Sequence, residues 1–595
     1  MFVLSGYVNS NNVSATDDML SRISASEHKP LVYSDNNCSL GIKQITKFEA
    51  FGTTEYATAP EYAIAFSGNI HNLSDILKDL DPSPSTKDQA EVVLLAYKAY
   101  GKDFVKRLRG SFGFAIWDKE NKELFLARDG FGIKPIYYYQ KEKELVFASR
   151  LKGFDAHPSF VKEFNEEILS VYLCFNTVPT TETFYKNVFR LEPGHTLTFK
   201  DGKAEISCFF RPEYEEKEQT YDEAAEKIQA ALKESTDMQT EGVNFGSFLS
   251  GGVDSSYMVS LSKPENTFTV GYENQNYDES VYSSELAQVL GIKNHIRLVN
   301  SKEYLNSFKD IVYGMDEPVA DPSAAVLYFG AKAASEYVDV VLSGEGSDEL
   351  FGGYNSYLDV ITHQKYMKRP YFLRHLAYLL TCKLPETRKR NFIRRRGQKL
   401  ENFHIGLDRV FRDDKVNTVL KNKSRLHTKQ VTRKYYDRYK NSTGLQKRQI
   451  IDYYFWLIND FVHSVTASAS AFGMQARFPF LDSAVYESAR TLPDSMKIGA
   501  DGTKLALRLA AEEVVPTDAY KRKKLGFPVP LKEWMKEDLY YGEIKKAFTS
   551  DTAKKFFKEK AILKLLDDHR NEVCDCYKKI WTIYTFIVWY DLYFN

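Results

Sequence analysis

Phe245-Gly-Ser-Phe-Leu249-Ser250-Gly251-Gly252-Val253-Asp254-Ser255-Ser256-Tyr257 is the stretch on which the fold of this chain turns. Its first five residues read as a β-strand, Ser250 to Ser256 as a glycine-hinged loop, and the residues from about Tyr257 as a helix. Two adjacent glycines let the backbone turn tightly enough for successive N–H groups to point into one concavity. Ser250, Ser255 and Ser256 add hydroxyl donors, and the helix contributes its positive N-terminal end. Such a loop holds a dense oxyanion. Asp254 lies in its middle, where a carboxylate repels phosphate unless a magnesium ion stands between them. The stretch therefore predicts a site for pyrophosphate and Mg2+. A plain Gly-Gly turn would explain the glycines but not an acid among three serines at a strand–helix junction.

A second strand–loop–helix unit follows. Val338 to Leu342 is a short β-branched run, and Ser343-Gly344-Glu345-Gly346-Ser347-Asp348-Glu349-Leu350-Phe351-Gly352-Gly353-Tyr354 comes directly after it. Two such units predict an open parallel sheet with both loops at its carboxyl edge, where Asp254 and Asp348 would grip magnesium from opposite sides. With these two loops the chain resembles the asparagine synthetase family, whose ATP-pyrophosphatase domain carries them as SGGxDSS and SGEGSDE-FGGY. The resemblance continues through Gly110 to Asp118 and Leu126 to Tyr137, which are similar to the core of the family's N-terminal glutamine amidotransferase domain. Arg190-Leu-Glu-Pro-Gly-His195 is similar to the family's linker between domains. Asp316-Glu-Pro318, Asp321-Pro-Ser323, Arg477-Phe-Pro-Phe-Leu-Asp482 and Lys524-Leu-Gly-Phe527 followed by Pro530 match in order.

At 595 residues the chain exceeds one domain, and 43% hydrophobic residues are ordinary for a folded core. Residues 1–210 carry short apolar runs such as Leu4–Tyr7, Ala63–Phe66, Phe112–Trp117, Glu123–Ala127, Ile136–Tyr139 and Leu145–Ala148, with a helical run from Gln89 to Tyr100. That is an α+β pattern, and the resemblance implies an αββα amidotransferase-type sandwich. A charged linker, Glu213 to Glu223, separates it from residues 222–595. There helices and strands alternate (Ala224–Ser235, Phe245–Leu249, Tyr257–Leu261, Phe268–Tyr272, Glu279–Leu290), as in an α/β parallel-sheet domain. Residues 355 to 450 read as a basic helical insertion whose charges face water, in preference to a patch for an anionic ligand or peptide carrier.

Lys plus Arg and Asp plus Glu are both 80, so no global field recruits nucleic acid or an anionic membrane. The first residues lack a signal-peptide pattern, and no apolar run reaches the ~20 residues of a spanning helix. Ile583 to Phe594 is expected to be a core helix instead. Six cysteines fit a reducing, cytoplasmic setting, and Cys574 with Cys576 lacks the further ligands of a metal site. The partners expected are a small-molecule or peptide carboxylate substrate and a second copy in a homodimer, with no nucleic acid and no membrane.

The chemistry implied is ATP-dependent amide formation. A carboxylate is a poor electrophile until it attacks the α-phosphorus of ATP, forming an acyl-adenylate and releasing pyrophosphate. The first loop, with Ser250, Gly251, Gly252, Asp254, Ser255 and Ser256, is the expected site of the phosphates; the resemblance assigns Leu249, Val270, Ser343 and Gly344 to the adenosine part and Asp254 and Asp348 to magnesium. It assigns Glu345 as the base for the attacking amine and Lys524 as the cation that stabilises the phosphorus and carbon transition states.

The amidotransferase half departs from the family. Its members cut glutamine with a cysteine at position 2, made N-terminal by removal of Met; here that position is Phe2, and Cys38 lies in no replacing motif. The family's Gly-His-Arg-Arg run appears as Gly41-Ile-Lys43-Gln44, without the arginine that clamps the glutamine carboxylate. Ser67 replaces the first Asn of the oxyanion hole, and Gln89 replaces an acid. These losses predict an inactive glutaminase on a retained scaffold. In the synthetase half, Gln475 replaces an acid and Ala467 a basic residue, which places aspartate as substrate in doubt while ATP use stands. The expected function is a glutamine-independent ligase, as in beta-lactam synthetases and lasso-peptide cyclases, although the former tend to carry Tyr where this chain has Glu345. An ammonia-fed asparagine synthetase and a non-catalytic ATP-binding partner are the alternatives.

Overall fold

The structure, a computed structural model, describes residues 2–9, 15–46, 56–80, 86, 88–272, 280–362, 364–382, 384, 387–522 and 529–595. The N-terminal half holds two six-stranded sheets whose strands all pair antiparallel. Phe2–Val8 sits inside one of them, between Glu144–Ala148 and Cys38–Gln44; Gly110–Asp118 sits inside the other, between Tyr62–Ile70 and Glu123–Arg128.

Strand alternation builds the layers. In Gly110–Asp118, Ala115 and Trp117 join Leu4, Leu40, Ile42, Leu145 and Phe147 in the core between the sheets. Phe112, Phe114 and Ile116 face the other way, onto Val92, Val93, Ala96 and Tyr97 of the helix Gln89–Tyr100. On the far side of the first sheet, Val3 and Tyr7 belong to the core that contains Met19, Leu20 and Ile23 of the helix Ala15–Ile23. Period-two side chains facing two different cores give helix, sheet, sheet, helix. The strand read as Ile136–Tyr139 runs Tyr137–Lys141, and Ile136 just ahead of it keeps the same alternation by facing the inter-sheet core.

The second half is built on a five-stranded parallel sheet ordered Lys293–Val299, Asn266–Tyr272, Phe245–Phe248, Val340–Leu342, Gln475–Arg477. From Phe245–Phe248 the chain steps outward twice in one direction, then returns to the other side for Val340–Leu342. The order therefore reverses between these two central strands, which is where an open parallel sheet leaves a crevice at its carboxyl edge.

The helix after the first loop begins at Val253, not near Tyr257. Gly252 is its extended N-cap, so Asp254, Ser255 and Ser256 lie in its first turn. An acid there opposes the positive helix end and stabilises the helix as well as serving the site.

The segment Glu213 to Glu223 is fastened along the helix Ser483–Arg490: Glu215 N–H donates to the Arg490 carbonyl at 3.1 Å and Lys217 N–H to the Thr491 carbonyl at 2.9 Å. A capping box at Thr220 and Glu223 then starts the helix Tyr221–Thr240. Residues 355–450 carry short helices, among them Tyr371–Thr381, Arg388–Arg396, Thr428–Arg438 and Gly444–Asp452. A π-helical stretch, Tyr453–Val462, follows. The helix Tyr577–Tyr593 is buried from Ile580 to Tyr590, and its Trp589 indole donates to the Asp316 carbonyl at 2.8 Å. Among the described residues no helix is long and apolar enough to cross a membrane.

The halves are joined by ion pairs at least partly shielded from water. Arg109 makes two hydrogen bonds to Asp482, at 2.9 and 2.8 Å. Arg190 and Tyr137 both donate to Glu317.

Candidate active site

The two central loops open into one cleft of about 360 Å³ at the carboxyl edge of the parallel sheet. Leu249, Ser250, Gly251, Gly252, Asp254, Ser255, Val270, Ser343, Gly344, Glu345 and Asp348 all line it. Ser256 does not: it is fully buried in the helix, and its hydroxyl has no hydrogen-bond partner among the described residues. Lys524 lies outside the described residues.

The first loop is preformed by its own side chains. Ser250 N–H donates to Ser255 Oγ at 3.2 Å, and the two hydroxyls lie 3.1 Å apart. Gly251 has φ +74°, and a Cβ there would stand 2.7 Å from Tyr282 Cβ, so only glycine fits. Gly252 offers no side chain to cap the helix, and the first helical residues, Val253, Asp254 and Ser255, line the cleft, where uncapped N–H groups suit an anion.

Asp254 and Asp348 converge on a residue that no motif announced. Lys504 Nζ lies 2.5 Å from Asp254 Oδ1 and 2.8 Å from Asp348 Oδ1, while Ser347 Oγ donates to Asp254 Oδ1 at 2.7 Å. Lys504 is 2% exposed and holds a left-handed backbone, φ 57° and ψ 38°. A lysine in that region costs energy, which the surrounding charges offset. Gly353 permits the approach: a Cβ there would stand 1.8 Å from Asp348 Oδ1 and 2.1 Å from Lys504 Cε.

Two further cations line the cleft. Arg508, one helical turn beyond Lys504, donates to the Thr503, Tyr520 and Arg522 carbonyls at 2.8, 2.5 and 3.0 Å. Burial lowers its pKa, and Asp254 and Asp348 oppose that shift. Arg522 bonds Glu285 at 2.6 Å and lies 4.1 Å over the Tyr282 ring. Sequence reading missed all three. A Lys-x-x-x-Arg pair entering an amphipathic helix reads as solvent-facing, and the one local signal was Gly502, two residues before Lys504.

Glu349 is fully buried, and burial together with the neighbouring Asp348 charge pushes its carboxyl up to about 8. Tyr354 OH donates to it at 2.6 Å, so the buried acid and the tyrosine that closes the second motif form one unit. Behind Glu345 lies Asp460, fully buried in the π-helical stretch. Burial raises its carboxyl well above the usual range, and the charges of Asp321, Asp408 and Glu345 add to the shift.

The hard oxygen pair of Asp254 and Asp348, already gathered around one cationic point, suits Mg2+, which takes one or two carboxylates and completes its shell with phosphate oxygens and water. Among the described residues no group of three or more His, Cys, Asp or Glu is placed to hold a metal ion.

At the amidotransferase end, Phe2 is buried in its strand and its carbonyl accepts from Ser67 Oγ at 2.6 Å. Lys43 Nζ bonds the Ser24 carbonyl at 2.7 Å, and Gln89 Oε1 accepts from Ile70 N–H at 2.7 Å. Cys38 is buried in its strand, where loss of solvent pushes the thiol well up and leaves it a poor nucleophile. Phe2 and Ser67 form one wall of an interdomain cavity whose other walls include Arg128, Arg190, Glu317, Asn459 and Ala467.

Comparison with known proteins agrees with this geometry. Residues 227–591 match the family model of asparagine synthase, and residues 29–210 match that of the glutamine amidotransferase domain. Glutamine-hydrolysing asparagine synthetase 1 of Bacillus subtilis is 33% identical over 542 residues, spanning 89% of this chain and 85% of that protein. A putative glutamine-hydrolysing asparagine synthetase of Mycobacterium bovis is 32% identical over 562 residues, spanning 90% and 85%.

Proposed function

Since the chain belongs to the asparagine synthetase family of ATP-dependent, AMP-forming carbon–nitrogen ligases, we propose that it joins a substrate carboxylate to an amine or ammonia without hydrolysing glutamine. The observation that carries the glutamine-independent part is Phe2, which occupies the position of the cysteine nucleophile on an intact sandwich. A benzyl side chain can form no thioester, and the buried Cys38 cannot replace it.

In this reading the adenosine part of ATP lies against Leu249, Val270, Ser343 and Gly344. The Ser250–Ser255 loop, the open helix end and the ammonium of Lys504 face the leaving pyrophosphate. Magnesium held by Asp254 and Asp348 would supply charge neutralisation for the phosphates. The substrate carboxylate attacks the α-phosphorus, the bond to the β-phosphate oxygen breaks, and pyrophosphate leaves. Fixed cations stabilise the charge that develops, and they need no reorganisation at that moment. Glu345 then takes a proton from the amine as its nitrogen attacks the acyl carbon and AMP departs. Lys524, from its place in the family motif, is the added cation for both transition states. The substrate is a small-molecule or peptide carboxylate, and the reaction belongs to the cytoplasm, where ATP is supplied.

The test is incubation with ATP, Mg2+, candidate carboxylates and either ammonium or labelled glutamine. Pyrophosphate release with ammonium or a substrate amine, and no glutamate from glutamine above a protein-free control, is the expected result. Glutamate formed in step with pyrophosphate overturns the reading. Release of ADP in place of AMP overturns the adenylation chemistry.

A further inference from the structure

The helix Tyr371–Thr381 is held to the protein the wrong way round. None of its residues is buried, and Phe372, Leu376, Leu379 and Leu380 are 68%, 53%, 53% and 71% exposed. At helical spacing these four share one face, with Leu373 beside them at 47%. The opposite face meets the helix Arg388–Arg396 and the turn after it through polar groups. Arg374 donates to the Arg396 carbonyl at 2.6 Å, His375 Nδ1 lies 3.1 Å from the Gly397 carbonyl, and Arg394 Nε donates to the Thr381 carbonyl at 3.0 Å. Gly397 makes this closeness possible, since a Cβ there would stand 2.4 Å from the Arg374 carbonyl oxygen. An amphipathic helix on a globular protein normally turns its leucines inward. Here polar and backbone contacts anchor it, and the leucines form an outer ridge.

Charge is concentrated in the sequence on either side of that ridge. Residues 361–400 hold twelve Lys or Arg and one acid, a net +11 (12 − 1) in a chain whose total is zero. Arg394 and Arg396 are engaged inside, but Lys368, Arg369, Lys389, Arg395 and Lys399 are exposed. They flank the ridge in sequence on both sides. A Phe/Leu face on a short, unburied helix, with exposed Lys and Arg just before and after it in the chain, is the pattern of a helix that enters the headgroup layer of an anionic bilayer. Self-association through the same face would set two such basic segments against each other across a two-fold axis.

We propose that this helical pair docks the protein onto an anionic lipid surface. Phe372, Leu376, Leu379 and Leu380 enter the acyl boundary, and the exposed lysines and arginines contact the headgroups. The sequence excluded a membrane because it lacks a spanning segment and a net charge. Neither criterion detects an interfacial helix whose basic field is local.

The test is co-sedimentation of the full chain with vesicles of phosphatidylcholine alone and of phosphatidylcholine mixed with phosphatidylglycerol. Binding to the mixed vesicles, weaker by tenfold or more on the neutral ones and in high salt, is expected. Leu376→Asp with Leu380→Asp should lower partitioning by roughly a hundredfold, while circular dichroism and ATP-dependent pyrophosphate release are unchanged. Lys389→Glu with Arg395→Glu should remove the preference for anionic lipid and keep the fold. No binding to the mixed vesicles overturns the proposal and leaves the ridge to an acidic protein partner. Binding that both double variants retain overturns it as well. So does a dimer in sedimentation velocity that Leu376→Asp dissociates, since the ridge is then covered by a second copy.

Discussion

Lys504 Nζ lies 2.5 Å from Asp254 Oδ1, although 250 residues separate the two in the chain. The same ammonium is 2.8 Å from Asp348, so one buried lysine bridges both carboxylates assigned to magnesium and offsets one of their two charges. Asp254 and Asp348 would hold the metal, and Lys504 between them would supply a fixed positive charge beside the phosphates. Lys504→Met should lower pyrophosphate release by about 10²–10³-fold, the loss typical of removing one preorganised charge from a transition state. Gly353→Ala should be as damaging, because the added methyl collides with Asp348 and Lys504 together. Steady-state pyrophosphate release at saturating ATP checks both; wild-type rates in either variant would remove Lys504 from the site.

Glu345 lines the cleft beside the second glycine loop. Glu345→Gln should leave adenylate formation intact and slow amide formation by ~10²–10⁴-fold, as expected for loss of a general base. Pyrophosphate release in a single turnover, measured beside amide product, separates the two steps. Equal losses in both would make Glu345 a binding residue.

Restoring the nucleophile alone should not restore glutamine use. In Phe2→Cys, Lys43 would still bond the Ser24 carbonyl, Ser67 would still occupy the oxyanion-hole position, and Gln89 would still accept from Ile70 N–H. Incubation of this variant with labelled glutamine should yield no glutamate above control. A measurable glutaminase rate would mean that the clamp and oxyanion hole are intact in another form.

His463 lines the interdomain cavity, its Nε2 2.7 Å from the Met315 carbonyl. Burial, and then the Arg150 charge, push its imidazole down to about 4. The unfolded chain takes up this proton near the ordinary His value of 6.5, so the folded state loses stability as pH falls from 6.5 towards 4. The loss from this group is at most about 3 kcal/mol. His463→Gln should therefore flatten the stability profile between pH 7 and 4, measured as urea midpoints; parallel profiles for the two proteins would show that His463 titrates normally.

The sequence by itself determined the chemistry of the two loops and the state of position 2. Gly251 at φ +74°, the serine pair of the first loop and the acids beside them are local features. Glycine permits a backbone region that other residues avoid, and short polar side chains bond their own turn, so such properties are written in adjacent residues. The alternation in Gly110–Asp118 was equally local, because period two fixes which core each side chain enters. Tertiary structure alone decided three things. It brought Lys504 and Arg508 to the cleft, which depends on how the helix Leu505–Glu512 packs and on a left-handed residue ahead of it. It buried Ser256 by starting the helix at Val253, one turn earlier than the loop pattern implied. It turned the leucines of Tyr371–Thr381 outward, although their spacing is that of an ordinary core-facing helix. Periodicity defines an apolar face, but which way that face points depends on the contacts made by the other side, and those come from residues distant in the chain.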